Sequence, residues 1–291
     1  MKILILGGSG LLGKSLAPIL INHGHEVVVH GKQNPAQVNF DIMDSRTFHA
    51  SLNRVRPEVI INLIALTDVD YCEEFPNEAY KLNVRCVMEI RDWILKNNGQ
   101  CHLIQISTDH VYDNQDLNLS DENQVSLNNF YSFSKFSGEL AASLIPCTVL
   151  RTNFFGRSRC VGRKSFTDWI FEGVSNQKIL NVFDDIYFSP ISMSSLSKFI
   201  LEVILKKKYG IYNLGSHDAM SKAEFAKLFV KSLGLSTRYL LDSNSTTCEH
   251  LKARRPKGMA MDIKKFELCF DVTLPSLLEE IEKVAKEYES R

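Results

Sequence analysis

The sequence has no charge of either sign to spare: 34 Lys and Arg offset 34 Asp and Glu. That balance removes the electrostatic case for a nucleic-acid or polyanion binder, which needs a basic face to neutralise phosphates. Paired cysteines are also missing. The seven stand alone at 72, 86, 101, 147, 160, 248 and 269, with no CxxC and no zinc spacing to a His pair. Such a scattered, odd set reads as reduced, mostly buried thiols of a cytoplasmic protein. No apolar run reaches the roughly 18 residues that a membrane span requires. The apolar opening Met1–Leu6 stops at Gly7, too short for a signal peptide. There is no internal repeat and no low-complexity stretch. What remains is a chain of 291 residues, 44% hydrophobic and 23% charged. That suffices for one large α/β domain, or for a nucleotide-binding domain with a smaller partner.

Up to Leu150, short apolar runs alternate with helical stretches. Strands are expected at Lys2–Leu6, Glu26–His30, Val59–Leu63, Leu103–Ser107 and Thr148–Leu150, and a further one ending at Asp41–Asp44. Helices are expected at Leu11–His23, with a distortion at Pro18, and over Ser45–Arg54, Asn77–Asn97 and Tyr131–Leu144. Continuous apolar strands separated by helices imply a parallel sheet covered on both faces, the doubly wound Rossmann arrangement. Beyond Arg151 the pattern loosens. Helices are expected at Phe166–Val174, at Ser221–Leu233 with Ser221 and Glu224 as a capping box, and at Pro275–Tyr288; a strand is expected at Tyr209–Leu214. The expected division is 1–152 with 187–214 as the dinucleotide-binding domain, and 153–186 with 215–291 as a smaller α/β substrate-binding domain.

The stretch Gly7-Gly8-Ser9-Gly10-Leu11-Leu12-Gly13 lies between the first strand and the first helix. Gly7 permits a tight turn, Gly10 lets the backbone approach a pyrophosphate, and Gly13 lets helix and strand pack closely. The helix amino end, with Ser9, Leu11 and Leu12, offers N–H groups to the phosphates. After the second strand comes Val29-His30-Gly31-Lys32. An NAD site usually has an acid there for the ribose hydroxyls. The cations Lys32 and His30 favour the 2′-phosphate of NADPH instead, with NADH still possible; a solvated surface lysine is the alternative for Lys32. Asp41 and Ile42 are expected near the adenine, with Asp44 as a helix N-cap.

Tyr131 and Lys135 form a YxxxK pair, which on a helix shares one face. An ammonium beside a phenol favours the phenolate and so makes Tyr131 a general acid for a carbonyl that receives hydride. Thr108 ends a strand, where ligands of open α/β sheets bind; it either hydrogen-bonds the carbonyl or caps the strand end.

Several segments occur in order: the glycine loop, Asn62 to Asp70, Ser107-Thr108-Asp109-His110-Val111-Tyr112, the YxxxK pair with Gly138-Glu139, Arg151-Thr152, Gly210 to Leu214, Ser221 to Ala226 and Arg255-Pro256. Together they resemble the extended short-chain dehydrogenases, and within them the dTDP-4-dehydrorhamnose reductase group. The resemblance implies that Tyr131 protonates a 4-keto oxygen, Lys135 holds the nicotinamide ribose, and Thr108 polarises the carbonyl. It implies that Ala65, Thr67, Asn83 and Ser107 meet the cofactor, and that Asp109, His110, Asn153, Phe154 and Arg255 meet a nucleotide-activated sugar. The chain departs from the group at Asn153-Phe154, Asp184 to Ile191, Ser126 and Ser132, so the reaction class is better defined than the sugar. A dehydratase of this fold would carry Thr-Asp-Glu where this chain has Thr108-Asp109-His110. The alternatives are an epimerase and a non-catalytic NADP-binding regulatory subunit. Some relatives use magnesium, but no ligand set is evident. Arg157, Arg159, Arg163 and Lys164 form either a diphosphate clamp or a solvated basic loop. A monomer or a homodimer is expected, without nucleic-acid or membrane partners.

Overall fold

Continuous apolar runs build the main sheet, as strands buried on both faces require. The computed structural model describes residues 1–31, 37–248 and 251–289. In it, β1 (Lys2–Leu6) is followed by α1 (Leu11–Asn22), β2 (Glu26–Val29), α2 (Ser45–Val55) and β3 (Val59–Asn62). Then come α3 (Val69–Glu74), α4 (Pro76–Tyr80), α5 (Cys86–Lys96), β4 (His102–Thr108), α6 (Phe130–Ala142) and β5 (Cys147–Thr152). The six-stranded sheet has the order Gly210–Asn213, β5, β4, β3, β1, β2. Leu6 of β1 pairs in parallel with Asn62 of β3, and Asn62 with Gln105 of β4. The chain leaves β1 toward β2 on one side and returns to β3 on the other. The carboxyl ends of β1 and β3 therefore flank the switch point at which α/β sheets bind ligands.

Two compact units contain these elements. The first is Met1–Thr108, Asn129–Arg151 and Ser197–Tyr212; the second is Asp109–Asn128, Thr152–Leu196 and Asn213–Arg291. This differs from the expected division at 109–128 and 187–196. Both stretches bond within the second unit: Ser120 N–H donates to Ala260 O at 2.9 Å and Asn114 N–H to Gly258 O at 2.9 Å, while Phe188 pairs with Met220 and Met259. The core of that unit gathers Phe155, Phe188, Phe225, Phe229 and Ile281 from its short strands and helices. The expected capping box opens its helix Lys222–Ser232: Ser221 Oγ accepts from Glu224 N and Glu224 accepts from Ser221 N.

Two expectations are corrected. No strand ends at Asp41–Asp44; the segment makes only an isolated bridge between His30 and Val38. The Asp41 carboxylate accepts from Met43 N at 2.9 Å, a local turn that competes with strand pairing. Asp44 does cap α2, accepting from Arg46 N and Thr47 N. The helix expected over Asn77–Asn97 is interrupted by a π-helical turn, Lys81–Arg85, between α4 and α5. Such turns displace part of a helix face and often mark functional sites. Here the turn brings the Asn83 carbonyl against α6 at Gly138, where an added Cβ would lie 2.4 Å from that oxygen.

Gly138→Ala is therefore expected to force α6 off the π turn and to destabilise the fold by about 1–3 kcal/mol. Urea unfolding checks this; an unchanged midpoint contradicts the close contact.

Candidate active site

The glycine turn is shaped for a ligand rather than for a side chain. Gly7 has φ +73°. A Cβ on Gly13 would meet Gly8 O at 2.3 Å, a backbone clash with no escape. Gly10 caps α1 without a side-chain hydrogen bond, and no acid occupies the first turn. That amino end fits the pyrophosphate of a dinucleotide, which its N–H groups would hold. Leu12 and Ile42 bury their side chains, and Ile42 packs with Phe48 and Leu52. His30 is buried, with Nε2 3.0 Å from Phe40 O and its ring stacked 4.3 Å from that of Phe40. Asp41 is exposed, and Lys32 lies outside the described residues. His30 and Gly31, which follow β2, bring no carboxylate there.

The loop after β3 is pinned from two directions. Asn62 donates to Gln105 Oε1 at 2.8 Å and accepts from Ile64 N at 3.1 Å. Asn83, on the π turn, accepts from Leu66 N at 2.8 Å and donates to Leu66 O at 3.1 Å and to Ser134 Oγ at 2.9 Å. Both amide protons are thereby used inside the protein. Asn83 thereby ties the Ala65–Thr67 loop to α6. Ala65 is half-buried and Thr67 exposed.

Tyr131 and Lys135 lie on one face of α6, as their spacing requires. The Tyr131 ring packs among Cys72, Ala79, Leu66 and Val69. Lys135 is 4% exposed, and its Nζ donates to Ile106 O of β4 at 2.7 Å. Burial pushes the Lys135 ammonium down to about 8, against the opposing pull of Glu139. Thr108 is buried at the last position of β4. Ser107, the residue before it, turns its hydroxyl to Glu139. Glu139 also pairs with Arg151 at 2.7 Å. Tyr131, Lys135, Ser107, Thr108 and Asn83 are thus gathered in the first unit.

The second unit gathers another set. Asn153 Nδ2 donates to the buried Asp109 at 2.8 Å. Lys222 and Arg255 both act on His110, and Asp109 acts on Lys222. Lys222 opens the helix Lys222–Ser232 and lies 5.9 Å from the centre of the Phe188 ring. Burial, and then Arg255, lower its basicity while Asp109 opposes them. Sequence reasoning missed Lys222: its only signal was a place beside a capping serine, where any exposed residue fits. Phe154, expected to face substrate, is half-buried in a two-residue strand. In the basic loop, Arg157 donates to Glu287 O at 2.5 Å and Lys164 pairs with Glu172. Arg159 and Arg163 are exposed. Among the described residues, no group of three His, Cys, Asp or Glu could hold a metal, and no helix is long and apolar enough to cross a membrane.

Fold and motifs together define the class, an oxidoreductase of the extended short-chain dehydrogenase type. The family model described as the RmlD substrate binding domain matches residues 1–290, and the chain belongs to that family. A dTDP-4-dehydrorhamnose reductase from Aggregatibacter actinomycetemcomitans is 27% identical over 286 residues, covering 93% of this chain and 94% of the relative. The crystal structure of a dTDP-4-dehydrorhamnose reductase from Bacillus anthracis in complex with NADP matches with a TM-score of 0.88 at 23% identity, covering 98% of this chain and 99% of that one. The methionine adenosyltransferase 2 subunit beta of Rattus norvegicus is 23% identical over 286 residues, covering 91% of this chain and 81% of the relative.

Burial, followed by the fields of Lys222 and Arg255, pushes the His110 imidazole down to about 3. His110 is therefore expected to stay neutral from pH 7 to about 5. Imidazole NMR signals that titrate near the ordinary value of about 6.5 would contradict this packing.

Proposed function

We propose that the chain uses NADPH to reduce the 4-keto group of a nucleotide-activated 6-deoxy sugar, in the assembly of cell-surface polysaccharide. The observation that carries this reading is the buried Lys135 one helical turn from Tyr131, bonded to the strand that ends in Thr108. A dinucleotide held at this site would supply the hydride that the sugar carbon receives. Tyr131 gives its phenol proton to the oxygen, so that a ketone becomes an alcohol. Lys135 keeps a positive charge beside the phenol as that proton leaves. Thr108 donates its hydroxyl to the carbonyl oxygen, where charge develops. Ser9, Gly10 and Leu11 hold the pyrophosphate by their backbone at the amino end of α1. NADPH is favoured over NADH because no carboxylate follows β2 at His30 and Gly31, where one would repel a 2′-phosphate.

In the second unit, Asp109, His110, Asn153 and Arg255 contact the nucleotide sugar. Lys222 joins them as a cation for its diphosphate. Asp109 is the carboxylate whose field acts on Lys222, and the diphosphate would add a second anion to a set that also contains Arg255.

The likeness to the adenosyltransferase subunit beta supports a second reading, a non-catalytic NADP-binding regulatory subunit. Incubation with NADPH and dTDP-4-keto-6-deoxy sugars separates the two. Loss of reduced-nicotinamide absorbance supports the reductase; NADPH binding without turnover across these sugars supports the regulator.

Tyr131→Phe should keep NADPH affinity and lose about 100-fold or more in kcat. A kcat close to that of the unaltered enzyme contradicts the role given to the phenol. Lys222→Met should raise the sugar-nucleotide KM about tenfold with kcat little changed. A large fall in kcat at constant KM would remove Lys222 from the binding set.

A further inference from the structure

Glu139 is a buried carboxylate with no part in the chemistry above. It lies one helical turn beyond Lys135 and two beyond Tyr131, on the same face of α6. Arg151 of β5 holds it bidentately: Nε lies 3.1 Å from both oxygens and Nη2 lies 2.7 Å from Oε2. Both side chains are 1% exposed. Ser107 of β4 donates its hydroxyl to Oε1. Lys135 holds the preceding residue of that strand, Ile106, through its carbonyl. Two neighbouring groups on α6 thus grip two successive residues of β4, and the next residue is Thr108.

Stability alone does not account for this arrangement. A buried ion pair is often no more stabilising than an apolar pair of similar volume. The charges around Lys135 give a better reason. α6 offers it Glu139, α5 offers Cys86 and α3 offers Cys72. Burial pushes both thiols up to about 12, so they are neutral at physiological pH. β4 presents only a carbonyl to it. Arg151 of β5 stands behind Glu139. Among the described groups that act on Lys135, Glu139 is the one carboxylate.

We propose that Glu139, held by Arg151, is a positioning residue for the Tyr131–Lys135 pair: it fixes the Ser107–Thr108 end of β4 against α6 and supplies the fixed negative charge that Lys135 faces. Its effect on turnover rests on the reductase reading; its effect on Lys135 does not. The sign follows directly. An anion beside an ammonium stabilises the protonated form. Without Glu139, Lys135 gives up its proton at lower pH, and the alkaline limb of kcat moves down with it.

The test follows the Lys135 side chain by NMR in protein made with isotope-labelled lysine, its signal assigned by loss in Lys135→Met. In the unaltered protein it should titrate near 8. Glu139→Gln should lower that midpoint by about one unit or more, and Glu139→Asp should restore most of the difference. Because Glu139→Gln leaves Arg151 unpaired and can fail to fold, the double variant Glu139→Gln/Arg151→Met is measured as well. It should recover thermal stability relative to Glu139→Gln while its Lys135 midpoint stays below that of the unaltered protein. A Lys135 midpoint unchanged in the double variant, or equally lowered by Glu139→Asp, overturns the proposal and leaves Glu139 a structural residue. If the unaltered protein reduces no sugar, the reductase reading fails and the Lys135 titration still decides this one. If it does, the alkaline limb of kcat in the double variant should shift by the same amount.

Discussion

The hydrogen bond from Lys135 Nζ to Ile106 O sets the geometry on which the proposed chemistry depends. An ammonium taken out of water loses several kcal/mol of solvation unless polar partners replace it. Here a strand carbonyl and a nearby carboxylate do so. That bond orients α6 across the carboxyl end of β4 and places Tyr131 on the same helical face. A capping box at Asn129 and Ser132 starts α6 one residue before Tyr131.

Around this bond the first unit is tied at successive strand ends. Leu63 N–H reaches Leu6 O at 3.0 Å, Asn62 reaches Gln105, and Asn83 links the next loop to α6. The Asn62–Gln105 and Asn83–Ser134 bonds are buried, so the fold itself positions the loops at the switch point. Preorganisation of this kind is how a site holds its groups where charge develops without reorganising at the moment of reaction.

Much of the fold was legible in the sequence, because continuous apolar runs and a glycine turn are strong local signals. β1, β3 and β4 fall within a residue of their expected ends. The failures have local causes. Asp41 diverts its segment into a turn. The π turn at Lys81–Arg85 answers to the close approach of α6 and not to any pattern of its own. For the site, spacing revealed the Tyr131–Lys135 pair, since four residues make one helical turn. It could not reveal that Asn83 and Ser107 spend their polar groups inside the protein, because that depends on tertiary neighbours. Lys222 was invisible for the same reason: its half-buried ammonium is defined by Phe188, Asp109 and Arg255, distant in sequence.

The central claim is a hydride delivered to a sugar carbonyl whose oxygen Tyr131 protonates. The most direct measurement uses NADPH deuterated on the transferring face of the nicotinamide ring, with a dTDP-4-keto-6-deoxy sugar as acceptor and mass spectrometry of the sugar product. The account predicts one deuterium, on the carbon that was the ketone. Sugar recovered without deuterium while the deuterated cofactor remains bound would contradict it.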